Sequence, residues 1–311
     1  MTENVEQEWI SGFWRRIGAL VVDTLILGIV GMVLGLFFES IFVQLGGYGR
    51  LVGFSIALIY FGIMNSSITG GQTIGKKLLK LRVVDSNNSP IHVGKSVLRY
   101  FILALPFSLN GAQFSDEAIS SFLMYPLSLI IFGGMLSIFY LYIFNRVTRQ
   151  SLHDLVVGTY VVNINVEKKE CKKVWNIHIF VVAVLYVFTG VLPAFTASLL
   201  ASENFNEMRK TQVLLSNRPD VAYATISKKT ATTTSTKQGT KTTNYVSSQV
   251  FLENNNIDDV ELARQFATMI IENYPEAITK DSIQIVLTYG YDIGIAARWS
   301  RYPHRFKPAE L

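Results

Sequence analysis

Arg16, Asp23, His153 and Asp154 have the residue types and the setting to handle charge away from water. Asp23 lies inside the apolar run GFWRRIGALVVDTLILGIVGMVLGL, residues 12–36. An ionised carboxylate at the centre of a hydrocarbon slab costs roughly 2.5–3.5 kcal/mol on insertion scales. Such a group needs a partner, and it is one way to carry a proton or a small cation. Arg15 and Arg16 stand at the mouth of the same run, where long basic side chains snorkel to headgroups. Arg16 and Asp23 share a helix face but sit about 10 Å apart along the axis, too far for a direct bond. Asp23 is therefore expected to meet a cation from another helix. The competing reading makes Asp23 a packing device and nothing more. Asp154 is the second acid held among apolar residues, in SLHDLVVGTYVV. His153 beside it is of a type that titrates near neutral pH. A neighbouring His–Asp pair is neither a metal site nor a triad, and a packing or capping role competes with proton shuttling.

A second candidate stretch is GGQTIGKKLLKLRVVDSNNSP, which brings Gln72, Gly75, Lys76, Lys77 and Asp85 together. Glycine-rich loops followed by lysine can cradle phosphate. This one lacks the four-residue spacer between glycines and the Ser or Thr after lysine that define a nucleotide loop. It lies between apolar segments, so Lys80 and Arg82, with Arg99 and Arg149 further on, read as contacts to anionic lipid headgroups. Cys171 is the only cysteine, which excludes an internal disulfide and a cysteine-based metal site. No nucleophile–base constellation is visible, so the chain reads as a non-enzyme without metal or cofactor.

The elements that must position these residues are apolar helices. Half the residues are hydrophobic and 16% are charged, the profile of a membrane protein with a soluble part attached. The N-terminal residues MTENVEQEW lack the basic n-region of a secretory signal. Spans are expected near residues 17–38, 51–66, 96–114, 122–144 and 174–200. The third is broken or tilted by Pro106, and Gly133 and Gly134 are candidate kinks in the fourth. Gly31 and Gly35 permit close packing in the first. The segment LLKLRVV reads as a short strand or interfacial piece, and SLHDLVVGTYVV as an amphipathic segment on the membrane surface or under the bundle. The basic residues cluster at the ends of apolar segments, which argues against nucleic acid. Arg50 stands alone against Glu39, Asp116 and Glu117 in the connections after the first and third spans. By the positive-inside rule the lysine-rich connections are cytoplasmic. Five crossings then place residues 201–311 outside, and a re-entrant third segment would reverse this.

The C-terminal part differs in composition. Residues 202–216 continue a helix. Residues 222–236 and 241–253 are rich in Thr, Val, Tyr and Ser and read as a long hairpin. Residues 258–273 carry apolar positions at a helical period, with Asp258 or Asp259 as N-cap and Pro275 past the end. Two strands, 282–287 and 292–299, follow across TYGY. Tyr289, Tyr291, Trp299 and Tyr302 suit either an exposed contact patch or sheet packing. The fold class is an α-helical membrane bundle of about five transmembrane helices plus a small α+β (ββαββ) soluble C-terminal domain. The expected division is a four-span region at 1–166, a fifth helix at 167–200 and the soluble domain at 201–311.

Three blocks carry a resemblance to the RDD family of bacterial membrane proteins. GFWRRIGALVVDTLIL supplies Arg16 and Asp23, GQTIGKKLLKLRVVD supplies Gln72, Gly75, Lys76 and Asp85, and RQSLHDLVVGTYVV supplies His153 and Asp154. The resemblance covers about residues 12–162 and implies a multi-pass protein of the bacterial plasma membrane. It also implies that small-cation/proton exchange is one activity to weigh, with Asp23 and Asp154 as carriers and Arg16 as their electrostatic partner. Inverted repeats of the usual antiporter kind are not evident, and so thin a bundle would work as a homo-oligomer. The other reading is a membrane-anchored binding or assembly module whose domain at 201–311 meets a protein partner not identifiable from sequence. The length spent on that domain favours the second.

Overall fold

A computed structural model describes residues 9–112, 122–170, 173–200, 202–235 and 239–311. The expected acids Asp116 and Glu117, the lone Cys171, and the residues around the expected hairpin turn at 236–238 lie outside the described residues. The chain forms two compact units. One comprises the chain up to Val33, Arg50–Phe195 and Ile293–Ala296, and the other Leu34–Gly49, Thr196–Asp292 and Ala297–Leu311.

The first unit is helical. Helix α1 (Phe13–Leu45) is continuous apart from a non-helical residue at Phe38. Its portion in this unit, residues 13–33, matches the ~20 residues needed to cross a bilayer. A turn at Gly46–Tyr48 leads to α2 (Gly49–Met64). Next come α3 (Ile74–Leu78), β1 (Leu81–Val84) and α4 (Val93–Leu109). Helices α5 (Met124–Ser128) and α6 (Gly134–Phe144) are joined by one π-helical stretch, Leu129–Gly133. They are followed by α7 (Leu152–Val157), β2 (Tyr160–Asn163) and α8 (Asn176–Leu200).

Three helical stretches, Phe13–Met64, Met124–Phe144 and Asn176–Thr196, are long and apolar enough to cross a membrane. The count expected from sequence was five. The first stretch contains both α1 and α2. Helix α4 falls outside the count because its 17 residues are too few.

Proline shapes the packing of these helices. Pro193 in α8 has no N–H to give to the carbonyl four residues back, which is that of Thr189. Ser128 Oγ donates to that carbonyl at 2.6 Å. In lipid such a freed carbonyl has no water to turn to, so a neighbouring hydroxyl is the usual remedy. Gly134 lets α6 approach Pro106 of α4, since a Cβ there would lie 2.6 Å from the proline ring.

Ile293–Ala296 also belong to the helical unit. A Cβ on Gly31 would sit 2.7 Å from Ala296 Cβ, and one on Gly53 1.8 Å from the Ile293 carbonyl oxygen. The small residues expected to serve helix–helix contact thus make room at Gly31 for a backbone segment. Ile295 packs on Leu27, Ala57 and Phe61 beside it.

The polar half of the helical unit is organised by β1 and β2. These pair antiparallel, Leu81 opposite Asn163 and Val84 opposite Tyr160. Ile10 adds an isolated bridge to Val162. Trp9, Val84 and Val162 form one small core. Ala19, Leu81, Val83, Ile91 and Val161 form another, which seats α1 on the ladder.

The second unit is built on a four-stranded sheet in the order β3 (Val221–Ser235), β4 (Gly239–Leu252), β5 (Ser282–Asp292), β6 (Ala297–Phe306). The β3–β4 and β5–β6 pairs are antiparallel, and β4–β5 is parallel. Helices α9 (Glu203–Ser216) and α10 (Val260–Asn273) belong to the same unit. Ile226, Val246, Val250, Ile283, Ile285 and Leu287 on one sheet face pack with Leu215 of α9 and Phe266 and Ile270 of α10. Asp259 caps α10 by accepting from the Leu262 N–H at 2.9 Å.

The expected turn at TYGY is a correction. Residues 288–291 lie within β5, and the connection is Ile293–Ala296. Gly290 is needed inside the strand because a Cβ there would lie 1.9 Å from the Arg298 carbonyl oxygen. Of the four aromatics, Tyr291 is buried, Trp299 packs edge-on against Phe251, and Tyr302 is exposed.

Candidate functional site

The first and third sequence blocks meet, together with Arg99 of α4, in one buried polar cluster under α1. Helix α7 presents Asp154, helix α4 presents Arg99, and the first turns of α1 present Arg16. Asp154 is 1% exposed. Its Oδ1 accepts from Arg99 Nε at 2.8 Å and from Thr159 Oγ1 at 2.8 Å. Arg99 Nη2 reaches the same oxygen at 2.8 Å, and Arg16 Nη2 stands 3.4 Å from Oδ2. Arg16 also donates to the carbonyl of Arg149, a residue held at φ 51°. The helix that carries Asp154 ends at Gly158 in the left-handed region, φ 63°. That turn returns Thr159 to the carboxylate, and its N–H to the Asp154 carbonyl at 2.9 Å.

The electrostatics follow from this enclosure. Burial alone would raise the Asp154 pKa, but Arg99, His153 and Arg16 outweigh it and hold the carboxyl below the usual range. His153 Nε2 is 3.5 Å from Asp154 Oδ2. Here burial dominates and, with Arg99, Arg16 and Lys76 nearby, drops the imidazole to about 3 despite the carboxylate. The contact is therefore between a neutral ring and a carboxylate. The other ring nitrogen, Nδ1, is buried with no hydrogen-bond partner among the described residues.

Asp23 is enclosed by a different chemistry. Its Oδ1 accepts from Tyr60 OH at 2.8 Å and from the Gly75 N–H at 2.8 Å. Its Oδ2 accepts from Thr73 Oγ1 at 2.5 Å. Tyr60 OH in turn accepts the Ile74 N–H at 3.3 Å. Thr73 caps α3 by accepting from the Lys76 N–H at 3.2 Å. Gly75 is required for this approach, since a Cβ would lie 2.1 Å from the Ala19 carbonyl oxygen. The expectation that a cation from another helix meets Asp23 is corrected: among the described residues no cation lies within ion-pair distance. Arg16 spends its charge on Asp154 instead. Three neutral donors replace the cation because α3 starts against α1, and its first turn has free N–H groups to give.

Lys76 stands close enough to both carboxylates to feel them. It is half-buried, with its ammonium 6.0 Å from the centre of the Phe61 ring. Burial and Arg99 lower its pKa, Asp23 and Asp154 resist, and the result is about 7.

The other candidates serve the scaffold. Gln72 donates to the Leu81 carbonyl at 2.8 Å. Asp85 accepts the N–H groups of Asn87 and Ser89 at 2.8 and 2.9 Å, shaping the turn after β1. Lys77 and Lys80 are exposed, and Lys80 has φ 54°. Arg82 reaches Asn88 Oδ1 at 3.1 Å. Arg99, expected at headgroups, is buried on Asp154, which is a correction. Arg15, expected to snorkel, turns inward to Asn163 Oδ1 at 2.6 Å. Sequence reasoning missed Tyr60, Thr73 and Thr159. Only Thr73 left a signal there, as a helix-capping residue before IGKK. Among the described residues no group of three or more His, Cys, Asp or Glu is placed to hold a metal ion.

Long apolar helices closed over a buried arginine–aspartate cluster define a helical membrane protein. Residues 10–158 match the RDD family model, and this region of the chain belongs to the RDD family. The chain is also similar to "Uncharacterized protein YxaI" of Bacillus subtilis (strain 168), with 28% identity over 30% of this chain and 76% of that protein. No solved structure matches.

Proposed function

We propose that the chain is a membrane-anchored binding or assembly module. In this reading the RDD-family region holds the protein in the bilayer and the domain at 201–311 engages a protein partner. The observation that carries it is the closure of Asp154 by Arg99, Arg16 and Thr159 at 1% exposure. A carboxylate committed to two guanidinium groups is a fixed joint between α1, α4 and α7, and releasing it to take up an ion would strand two buried cations. Asp23, with three donors on it, is a second such joint.

The same reading makes the protein a multi-pass resident of the bacterial plasma membrane. It puts Lys77, Lys80 and Arg149 at the anionic inner surface, α4 as a crossing helix and residues 201–311 outside. It assigns no catalytic step. Homo-oligomerisation is compatible with it and not needed.

Small-cation/proton exchange is the second reading. Its support is Lys76, an amine that feels the charge of both carboxylates and whose pKa burial lowers to about 7. Exchange is tested with the full chain in vesicles carrying a pH gradient. The anchor reading expects no sodium- or potassium-driven dissipation above that of empty vesicles. Dissipation that Asp23→Asn abolishes, at an unchanged unfolding temperature, overturns it. The full chain is used because Ile293–Ala296 belong to the helical unit, and deleting residues 201–311 would leave Gly31 and Gly53 facing a void.

A further inference from the structure

The β3–β4 hairpin is far longer than its own core requires. Strand β4 pairs with β5 only from Tyr245 to Phe251. The β3–β4 ladder continues past this to Ser235 opposite Gly239. The inward residues Ala224, Ile226, Val246 and Val250 end the buried part. Beyond them residues 228–232 and 240–242 are exposed. An isolated two-stranded ribbon is marginally stable in water. This one is held by β-branched residues and cross-strand contacts, such as Thr230 Oγ1 to Asn244 Oδ1 at 2.8 Å and Thr234 to Thr240 at 3.3 Å.

The two edges of the sheet are treated differently. The β6 edge carries Pro303 with Arg298, Arg301 and Arg305. Proline and charge are the usual means of blocking strand addition. The β3 edge has no proline over its 15 residues. Its free donors can be assigned. The Ala224 N–H donates to Ser216 Oγ of α9 at 3.0 Å, so it points away from β4. The register is unbroken from Tyr223 to Ser235. Alternation along an antiparallel strand then turns the N–H groups of Thr230, Thr232 and Thr234 outward.

Charge selects what can pair there. Neither β3 nor β4 contains an acidic residue, and together they hold Lys228, Lys229 and Lys241. Lys228 is paired with Glu276. Lys229 lies opposite Tyr245, and Lys241 opposite Thr233, which puts both lysines on the same face of the ribbon as the Tyr245 ring. The Arg305 guanidinium stands 5.7 Å from that ring. A second copy of the same strand would bring lysine toward lysine.

We propose that the outer edge of β3, from Thr230 to Thr234, accepts an extended acidic segment of a partner protein as an added strand. Main-chain bonds to the outward N–H groups supply the register, and alternate Glu or Asp side chains lie along the face of Lys229 and Lys241. The proposal rests on the binding-module reading and names the chemistry of its partner.

The test uses the full chain in detergent and a fluorescent ten-residue peptide of alternating Glu and Thr, with the Lys–Thr peptide as control. Anisotropy should show saturable binding of the acidic peptide alone. Amide exchange should slow in residues 228–235. Thr232→Pro, which removes an outward N–H and no ladder bond, should weaken binding at least tenfold. The double variant Lys229→Glu, Lys241→Glu should do the same and admit the basic peptide, both with unchanged unfolding temperature. Absence of acidic-peptide protection in residues 228–235 up to millimolar peptide overturns the proposal, as does equal binding of both peptides. Binding that survives both variants but is lost in Arg301→Glu, Arg305→Glu also overturns it, while leaving the binding-module reading intact. That reading fails separately, if cells lacking the chain are restored equally by the wild type and by variants of either edge.

Discussion

Arg99 Nε and Nη2 both converge on a single oxygen of Asp154, each at 2.8 Å. The pair joins α4 to α7 across more than fifty residues of sequence, and Arg16 ties α1 to the other oxygen. Breaking a buried pair by removing one partner typically costs about 3–5 kcal/mol, because a charge is left without compensation. Asp154→Asn should therefore lower stability by that order, read as denaturant or thermal unfolding in detergent. Arg99→Met should do so too, and the double variant should cost less than the sum. Additive losses would show that the two residues do not act as a pair.

For Asp23 the expected losses are those of neutral hydrogen bonds. Thr73→Val should cost about 1–3 kcal/mol, since it removes a donor to a buried carboxylate. Gly75→Ala should cost more than Thr73→Val, because the added methyl is driven into the Ala19 carbonyl. A Gly75→Ala protein as stable as wild type would contradict the close approach of α3 to α1.

Acid should weaken the helical unit in a defined window. His153 titrates at about 3 in the folded chain against an ordinary 6.5. The unfolded chain thus binds the proton first, and stability falls as pH drops from about 6.5 toward 3. Asp154, also held below its ordinary value of 3.8, adds a further loss below that point. His153→Gln should flatten the limb between pH 6 and roughly 4 and leave the steeper acid limb in place. Unfolding temperatures measured across this range decide it.

The Ser128–Thr189 bond compensates for Pro193 and should depend on it. Ser128→Ala should cost about 0.6–2 kcal/mol, the range for side-chain hydrogen bonds between membrane helices. In a Pro193→Ala background residue 193 regains an N–H for the Thr189 carbonyl, and the same Ser128→Ala change should become nearly neutral. An equal cost in both backgrounds would assign the serine another role.

How legible each element is in the sequence depends on the kind of signal it leaves. Asp259 and the apolar spacing from Val260 to Ile271 mark a helix locally, and α10 lies there. Arg16 and Asp154 were legible because charge inside apolar sequence is conspicuous. Their pairing with each other was not, since nothing local says which acid an arginine meets across 138 residues. The partners of Asp23 were hidden for a different reason. Tyr60, Thr73 and the Gly75 amide are neutral, and neutral donors leave no charge pattern to follow. At TYGY the glycine suggested a turn, whereas Gly290 serves a close crossing of two strands. A glycine in sequence declares lack of bulk without saying what fills the space.

The space beside Gly31 and Gly53 has a consequence for biosynthesis. It is occupied by Ile293–Ala296, which are synthesised long after the glycines they cover. The first two helices are synthesised hundreds of residues earlier, with that notch empty. The packing of these two helices is thus completed by a segment made much later. A nascent protein stalled before residue 293 keeps bare glycine backbone at this notch, which Ile293–Ala296 cover once they are made.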